Sequence, residues 1–490
     1  MIEQGFNLML LLPEMLLLLG VCVLLISDAG GARRRLGGTT RALLVLALAL
    51  LALIPQSTTS TDTAFGGMVI VDALSRLLKL FAVVAVGASL VLSSRYCDDR
   101  ELARGEFQSL ALLSLLGQFV MISANHLLVV YLGLELMSLA LYSLAALRRD
   151  SAVSTEAATK YFILGALASG FLLYGMSMVY GGAGTLSLDE IAARLVAGEV
   201  DRWVFAVGIV FIVAGLAFKF GAVPFHMWIP DVYQGTPTAM TLLIAGAPKL
   251  AGFAIAFRML AEGMLGAWTD WQPMLLVLAI ASLVVGNVVA IAQQNLKRML
   301  AYSTISQIGF VLLGMLSGVV DGDAAGAADA WGSSLFYIVT YVFTTVGTFG
   351  VILLLSRAGF EAETLDDLRG LNQRSPWIAL VMLLLMFSLA GIPPMVGFYA
   401  KFIIIGSVVS AGMTWLAVLA VMLSLVAAFY YLRVVKLMYF DQPADASPVS
   451  YGRPAGLVLA LNGSLVFVMG LLPGPLIGAC LDAVRQALGS

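Results

Sequence analysis

Long apolar runs, separated by charged residues, glycine, proline or asparagine, fill almost the whole chain. Most of them can cross the roughly 30 Å hydrocarbon core of a bilayer as one helix of about 20 residues. The pattern predicts an all-α polytopic membrane protein with about fourteen transmembrane helices. The predicted spans are 8–27, 41–55, 68–94, 107–124, 127–147, 157–180, 203–225, 238–257, 272–292, 300–319, 331–355, 376–410, 412–436 and 455–475. The weakest are 41–55, which is short, and 68–94, which contains three charged residues.

Lysine and arginine residues are distributed unequally between the two sets of connecting segments. If the N-terminus lies outside, the inner segments carry most of them, including Arg33, Arg34, Arg35 and Arg104, and the outer segments carry few. Because segments rich in lysine and arginine stay on the cytoplasmic side, this asymmetry predicts that both termini lie on the outer side.

One outer segment, 187–199, has a pattern of its own. Leu188, Ile191 and Leu195 recur at helical spacing among acidic residues. This spacing predicts a short amphipathic helix on the membrane surface, with a solvated loop as the alternative.

The composition narrows the class of protein. The 490 residues are 61% hydrophobic and 11% charged, with a mean hydropathy of +0.98, whereas soluble domains are about 25% charged. Three cysteines without CxxC spacing exclude an iron–sulfur or zinc site made by this chain alone. Two histidines are too few for paired haem ligation, and the chain has no nucleotide-binding glycine motif. We therefore expect no cofactor in this chain.

Charged side chains inside the predicted spans are candidates for function, because each costs several kcal/mol in a bilayer. Glu135 and Lys249 lie near the middle of their spans, where neither reaches water easily. We interpret both as functional. Lys160 lies only a few residues into its span, and its long side chain can extend to the interface. Its position alone leaves a functional and a structural role equally open.

The charges of the third span suggest a different role. Arg76 and Lys79 share a helix face with Asp72, which favours an internally paired, structural stripe. Glu14 in the first span is compatible with either a structural role or a contact with another protein.

Two lysines lie beside predicted helix breaks. Lys219 is followed by Gly221–Pro224, where the proline removes a backbone hydrogen bond and the helix should unwind. The run 376–410 would be about 52 Å long as one straight helix, and Gly391–Pro394 interrupts it just before Lys401. Broken helices at membrane depth are tolerated where they line a hydrated cavity. A lysine beside such a break indicates transport.

The breaks also predict how the chain is organised. Two groups of five spans each have the break in the fourth helix, and an odd number of helices repeated in tandem inserts with opposite orientation. We predict three N-terminal helices in 1–106, a first repeat in 107–260, a second, inverted repeat in 272–440, and a fourteenth helix in 455–475. This is the layout of secondary transporters.

The second repeat lacks an acidic residue equivalent to Glu135. Instead it carries neutral polar groups that can hold water but do not titrate near neutral pH. These are Gln293, Gln294, Tyr302, Ser303, Ser306 and Gln307.

Four segments resemble one known family. Lys219–Thr238, Ala247–Phe253, Asn295–Gln307 and Gly391–Phe402 are similar to the antiporter-like membrane subunits of respiratory complex I, the bacterial NADH-quinone oxidoreductase. The resemblance covers essentially the whole chain. The Gly-Ile-Pro-Pro form at the second break resembles the subunit N branch, because the larger sister subunits and the multisubunit sodium/proton antiporters tend to have a Gly-Leu-Pro-Gly type there.

This resemblance implies roles for particular residues. Glu135 and Lys219 would form the charge pair of the family, Lys160 and Lys249 would continue a hydrated axis, and Lys401 would be the terminal lysine of the second half-channel. Lys160 thereby becomes a predicted site residue.

The resemblance also implies an assembly. The chain would translocate protons in the membrane arm, beside sister antiporter-like subunits, in a bacterial inner membrane with both termini in the periplasm. The energy would come from electron transfer between NADH and quinone, with FMN and iron–sulfur clusters held by partner subunits.

A mechanism follows from elementary electrostatics. Burial disfavours the charged form of a lysine and a nearby carboxylate favours it. Opening and closing of a Glu135–Lys219 contact would therefore change how tightly Lys219 holds its proton, and the change would pass through Lys249 to Lys401. His226, next to the first break, is either a proton relay or a packed, neutral side chain.

Two other functions remain open on the sequence alone. The runner-up is a subunit of a cation/proton antiporter without redox coupling, which would use the same residues. The third is a structural membrane scaffold whose buried charges fix helix packing. A lysine replacement that leaves assembly normal but abolishes pumping would exclude the scaffold.

Overall fold

The computed structural model of the chain describes residues 7–29, 37–54, 61–102, 105–320, 322–357, 359–443, 447 and 449–489. The predicted inner residues Arg33, Arg34, Arg35 and Arg104 lie outside this range. Nearly all of the described chain is helical, as expected where a bilayer leaves backbone polar groups no other partner.

The N-terminal part contains three helices and one short hairpin. A single 3-10 turn, Leu8–Leu11, precedes the first helix. The elements are α1 (Leu12–Ala29), α2 (Gly38–Leu53), β1 (Asp62–Ala64), β2 (Val69–Val71) and α3 (Ala73–Asp99). The strands pair antiparallel, and Asp72 then starts α3 by accepting a hydrogen bond from the Ser75 backbone N–H (2.8 Å).

The first repeat follows, with one surface helix between its third and fourth members. Its helices are α4 (Glu106–Ile122), α5 (Leu127–Ala145), α6 (Ala152–Ala183), α7 (Leu188–Ala197), α8 (Arg202–Phe220), α9 (Trp228–Gly235), α10 (Thr238–Ala245) and α11 (Pro248–Ala256). A π-helical stretch, Phe257–Gly263, continues α11. The helix α7 confirms the amphipathic helix predicted for 187–199.

The second repeat and the C-terminal part complete the fold. Their helices are α12 (Trp268–Ile291), α13 (Leu296–Leu316), α14 (Ala327–Leu355), α15 (Leu371–Arg374), α16 (Pro376–Ala390), α17 (Val396–Ser410), α18 (Thr414–Phe440), α19 (Arg453–Leu471) and α20 (Gly474–Leu488). The last one was not predicted, because its mixed polar and apolar sequence does not form an apolar run.

The predicted number of crossings is confirmed. Within the described residues, eleven helical stretches are long and apolar enough to span a bilayer, and four shorter apolar helices accompany them. Two of the shorter ones, α16 and α17, are halves of one crossing, so the total is fourteen. Both predicted breaks are present, between α8 and α9 and between α16 and α17. The fifth helix of the first repeat is also interrupted, at Gly246, which the sequence analysis did not predict.

The helix ends divide into two faces, joined by different sets of contacts. One side of the protein is called the basic face. It contains the turns after α5 and α12, the segment 356–375 and the end of α18. The contacts there include Arg298–Asp231, Lys297–Glu363, Arg100–Glu361 and Gly370–Leu437. The opposite face joins the hairpin, α7, the π-helical stretch and α20, through Asn125–Asp189, Arg258–Asp72 and Arg485–Asp329. Because α4 runs away from the basic face and α12 runs toward it, the two repeats are inverted.

The centre of the protein is formed by helices that carry several buried polar side chains. The spans of α13 and of α10 with α11 are almost entirely buried, and α14 is buried along its whole length. The helices α1, α18 and α19 leave most of their apolar surface exposed, as expected where lipid is the neighbour.

Glycines allow neighbouring helices to approach closely. A Cβ atom at Gly117 of α4 would lie 2.4 Å from the Met137 backbone nitrogen of α5, and one at Gly133 would lie 2.7 Å from the Met121 nitrogen. Small residues at such crossings let backbones pack without side chains between them. This crossing fixes the position of Glu135, two residues beyond Gly133.

We expect Gly117→Val to separate α4 from α5, because overpacking costs about 1–3 kcal/mol, and more where backbone is the obstacle. The yield of protease-resistant protein in membranes and its thermal unfolding temperature should both fall. Gly170→Val is the matched control, since no heavy atom lies within 4 Å of a Cβ there. Equal behaviour of the two variants would contradict the close crossing.

Candidate functional site

The first helix break ends in a lysine-capped carbonyl. The helix α8 stops at Gly221, which adopts the left-handed conformation (φ 78°) that glycine allows without steric cost. The carbonyl of Phe220, the last residue of α8, accepts a hydrogen bond from Lys249 Nζ at 2.7 Å. Lys249 is only 2% exposed. A buried ammonium group therefore lies on the free carbonyl end of a broken helix.

The second break repeats this arrangement. The helix α16 stops at Gly391, with φ 82°, and α17 resumes the crossing. Lys401 Nζ donates to the carbonyls of Leu389 (3.0 Å) and Ala390 (3.1 Å) and to Ser424 Oγ (3.0 Å). Lys401 is 6% exposed.

Both lysines occupy the same electrostatic position. The carbonyl end of a helix carries about −0.5 elementary charge, and its last carbonyls have no partner within the helix. An ammonium group there satisfies these carbonyls and is stabilised by the helix dipole, which partly offsets its desolvation. Lys249 comes from the fifth helix of its repeat, whereas Lys401 comes from the second half of the broken helix itself. The two repeats thus build the same contact from different positions.

Lys219 lies near the first break but has a different partner. Its Nζ donates to Ser138 Oγ at 2.8 Å, and the side chain is partly buried. The resemblance implied a Glu135–Lys219 pair that opens and closes, and in this structure the two groups are not within ion-pair distance. Glu135 lies on α5 one turn before Ser138, and its buried Oε1 has no hydrogen-bond partner within the described chain.

Lys219 and Lys249 line the same internal cavity. Its walls come from α4, α5, α6 and α8 to α11 and are mostly apolar, with Ser138 and Tyr161 as further polar groups. Charge on one lysine therefore disfavours charge on the other across a space of low dielectric constant. The two amines thus border one shared space.

Lys160 does not lie on a buried axis. Its side chain is 44% exposed and its Nζ forms ion pairs with Glu156 and Asp231, both at 2.8 Å. Asp231 also pairs with Arg298 (2.8 Å). The prediction that Lys160 continues the hydrated axis toward the middle is therefore corrected: it lies in a polar crevice on the basic face, because α6 begins there and Lys160 is only its ninth residue.

His226 lies in the connection between α8 and α9 and is partly exposed. It does not line the cavity of Lys219 and Lys249. The structure brings it to neither lysine.

Around Lys401 the structure adds a neutral network that the sequence analysis saw only in part. Gln307 Nε2 donates to the Leu389 carbonyl (3.0 Å), the same oxygen that Lys401 contacts, and to Tyr431 Oη (3.0 Å). Tyr337 donates to Gln307 Oε1, and Tyr431 shares a hydrogen bond with Ser303. Ser303 and Gln307 were predicted as water-holding groups. The sequence analysis did not predict the two tyrosines, because a tyrosine in an apolar run is normally interpreted as a packed core residue.

The charges of α3 are structural, but their pairing differs from the prediction. Lys79 forms a buried ion pair with Glu14 of α1 at 2.5 Å, and Asp72 pairs with Arg258 at 2.8 Å. Burial alone would raise the pKa of Asp72, but the Arg258 guanidinium holds that pKa below its usual range. Lys79 and Asp72 thus pair with neighbouring elements, whereas Arg76 keeps an electrostatic interaction with Asp72 as the predicted stripe requires.

Another buried lysine was missed. Lys297 is fully buried and donates to the Thr236 carbonyl (2.8 Å) and to Glu363 (2.7 Å). It is the second residue of α13, in a region where the sequence pattern indicated an ordinary basic segment between spans. Within the described residues, no group of three or more histidine, cysteine or acidic side chains is arranged to hold a metal ion.

Comparison with known proteins gives a consistent family. Residues 124–427 match the family described as NADH:quinone oxidoreductase/Mrp antiporter, TM. The NADH-quinone oxidoreductase subunit N of Herminiimonas arsenicoxydans is 56% identical over 446 residues, which are 90% of each chain. A chain of respiratory complex I from Thermus thermophilus with bound aureothin is 31% identical, with a TM-score of 0.81 over 96% of this chain and all of that one. A chain of the Mrp complex of Dietzia sp. DQ12-45-1b shares the fold, with 20% identity and a TM-score of 0.85 over 99% of both chains.

The Glu14–Lys79 pair should be needed for stability. Removing one member of a buried ion pair leaves an uncompensated charge and costs about 3–5 kcal/mol, whereas replacing both by apolar groups is often neutral. We expect Lys79→Met to lower the thermal unfolding temperature and Glu14→Leu/Lys79→Met to restore most of the loss. Arg485→Ala, at an exposed pair, is the control. A double variant as unstable as the single one would contradict the pairing.

Proposed function

The chain belongs to the family of NADH-quinone oxidoreductase subunit N, and we propose that Glu135, Lys219, Lys249 and Lys401 carry protons through it. The family resemblance seen in the sequence is thus confirmed. The chain is an antiporter-like, proton-pumping subunit of the membrane arm of complex I, a translocase driven by electron transfer from NADH to quinone. The residues that move the protons are our proposal.

One observation carries the assignment of the lysines. In each inverted repeat, a buried lysine amine lies on the last free carbonyls of a broken helix, at 2.7 Å in the first repeat and 3.0 and 3.1 Å in the second. A purely structural charge is normally paired with an opposite charge, as Lys79 is with Glu14. Lys249 and Lys401 contact dipoles instead, so each can lose its proton without leaving a buried counter-charge behind.

The contacts of Lys219 support a switching step. Its amine bonds to Ser138, while Glu135 lies one turn away on the same helix, a separation of about 5–6 Å between Cβ atoms. A flexible lysine side chain can move between the two. Contact with the Glu135 carboxylate favours the charged lysine, and return to Ser138 disfavours it. Movement of the Lys219 amine between Ser138 and Glu135, which are one turn apart on α5, thereby changes the proton affinity of that amine.

Coupling to the second lysine follows from their shared cavity. When Lys219 becomes charged, the charged state of Lys249 becomes less favourable, and a proton is displaced toward the second repeat. There Lys401 receives it beside the network of Gln307, Tyr337 and Tyr431, which can order water without titrating near neutral pH. The first repeat thus contains the carboxylate switch, and the second repeat receives and releases the proton.

The distribution of charge supports an orientation. The basic face carries most of the described lysine and arginine side chains outside the spans, so we assign it to the cytoplasm. The helix α1 begins at the opposite face and α19 ends there, which supports our inference that both ends of the described chain face the periplasm of a bacterial inner membrane.

The proposed assembly follows from the family. The chain is a multi-pass subunit of the complex I membrane arm. We infer that its immediate neighbours include sister antiporter-like subunits, and that FMN, the iron–sulfur clusters and quinone are bound by other subunits. The energy for pumping then reaches Glu135 and the lysines through conformational and electrostatic change.

The identity of the relatives favours redox coupling over the antiporter alternative. The subunit N relative is 56% identical, whereas the Mrp chain at 20% identity supports the fold alone. Co-purification of flavin and iron–sulfur subunits with this chain tests the choice. Purification without them, with sodium-dependent proton flux in vesicles, would favour the antiporter.

In the whole complex in vesicles, we expect Lys249→Met and Lys401→Met each to lower NADH-driven acidification at least about tenfold, the effect of about 1.4 kcal/mol on the rate-limiting barrier. Lys219→Ala and Glu135→Ala should also impair it. Lys436→Ala, whose side chain is 68% exposed at the end of α18, is the control. Undiminished pumping by the first two variants at normal assembly would refute the assignment.

A further inference from the structure

A polar crevice opens on the basic face between α6 and α9. Lys160 and Glu156 of α6 face Asp231 of α9, and Arg298 of α13 closes the third side. Lys160, Asp231 and Arg298 keep 44%, 33% and 30% of their side-chain surfaces exposed. The crevice therefore admits water, because every wall offers it charged partners.

The lysine cavity lies behind the crevice, on the same two helices. Tyr161, the residue after Lys160, and Trp228, one turn before Asp231, both line the cavity of Lys219 and Lys249. Neighbouring positions of α6 and α9 thus face two different spaces. Tyr161 and Trp228 therefore lie on the two helices that border both the crevice and the cavity.

The two rings form one closed layer. Tyr161 and Trp228 stack with their centroids 4.6 Å apart and their planes 11° from parallel, and they are 6% and 3% exposed. The Trp228 indole N–H donates to the Phe218 carbonyl (3.0 Å), and Tyr142 packs edge-on against Tyr161 at 4.6 Å. Lys249 Nζ lies 5.7 Å from the Trp228 ring centroid on the cavity side.

We propose that the Tyr161–Trp228 stack is a gate that separates the water of the crevice from the cavity of Lys219 and Lys249, with the crevice as the place where protons are taken up. The proposal rests on the proposed proton path. A proton crosses a protein along hydrogen-bonded groups, and two ring faces in contact offer none. Separation of α6 and α9 opens the stack and lets water through, whereas the closed stack prevents protons from returning from the cavity to the basic face.

The gate predicts a leak when the rings are lost. We expect the complex with Tyr161→Ala to assemble and oxidise NADH, but to lose an established pH gradient several-fold faster than wild type once NADH oxidation is stopped. Tyr161→Phe keeps the ring and should hold the gradient normally. Tyr174→Ala is the matched control, since this tyrosine packs edge-on against Phe211 at 4.8 Å on the exposed side of α6.

The measurement is the decay of acidification in sealed vesicles that contain the whole complex, recorded with a pH-sensitive dye alongside the NADH oxidation rate. If Tyr161→Ala does not assemble, Trp228→Phe, which keeps a smaller ring, should still leak faster than wild type. A wild-type decay rate in whichever of these two variants assembles would overturn the gate.

A second variant separates the gate from the path behind it. When the pH gradient is imposed by an external pH jump instead of by NADH oxidation, adding Lys249→Met to Tyr161→Ala should abolish most of the leak, because the proton then lacks its next acceptor. Normal pumping by Lys249→Met alone would refute the proposed path whatever Tyr161→Ala does. A leak that persists unchanged in the double variant would show that protons bypass the lysine cavity, which also overturns this gate.

Discussion

The whole arrangement depends on how a transmembrane helix can end inside a bilayer. Its last carbonyls have no intrahelical partners, and a hydrocarbon environment offers none, so such an end needs a donor from the protein. Here the donors are the ammonium groups of Lys249 and Lys401, which bond to the ends of α8 and α16. The same contact makes a buried positive charge tolerable and a buried helix end tolerable. Neither feature would persist alone, and together they place a titratable group at membrane depth.

The two repeats use this contact with different surroundings. The first repeat adds Glu135 and Lys219, so a carboxylate can compete for a lysine within it. The second surrounds Lys401 with Gln307 and tyrosines that do not ionise near neutral pH. Inversion places the two breaks on helices that run in opposite directions. The first repeat can therefore respond to an electrostatic signal while the second guides a proton, although both repeats have the same helix arrangement.

Buried charge alone does not identify the proton carriers. Lys79 and Lys297 are each 0% exposed, at least as deeply buried as Lys249 at 2%, yet both are ion-paired with carboxylates. The distinction lies in the partner: an opposite charge fixes a protonation state, whereas a carbonyl dipole or a hydroxyl leaves it adjustable. The same criterion removes Lys160 from the buried axis and places it, with Asp231, at an aqueous opening.

The sequence by itself determined the fourteen crossings, the inversion and both helix breaks, because run length and the local Gly and Pro signals act over a few residues. It also identified Glu135, Lys219, Lys249 and Lys401 as unusual, since their depth follows from position in a run. Only the tertiary structure decided their partners. Lys160 meets Asp231 across 71 residues and Lys79 meets Glu14 across 65, contacts that depend on how helices pack side by side. Helix packing is set by the combined shape of many side chains, such as the glycine crossing of α4 and α5, and no local pattern in the chain encodes it.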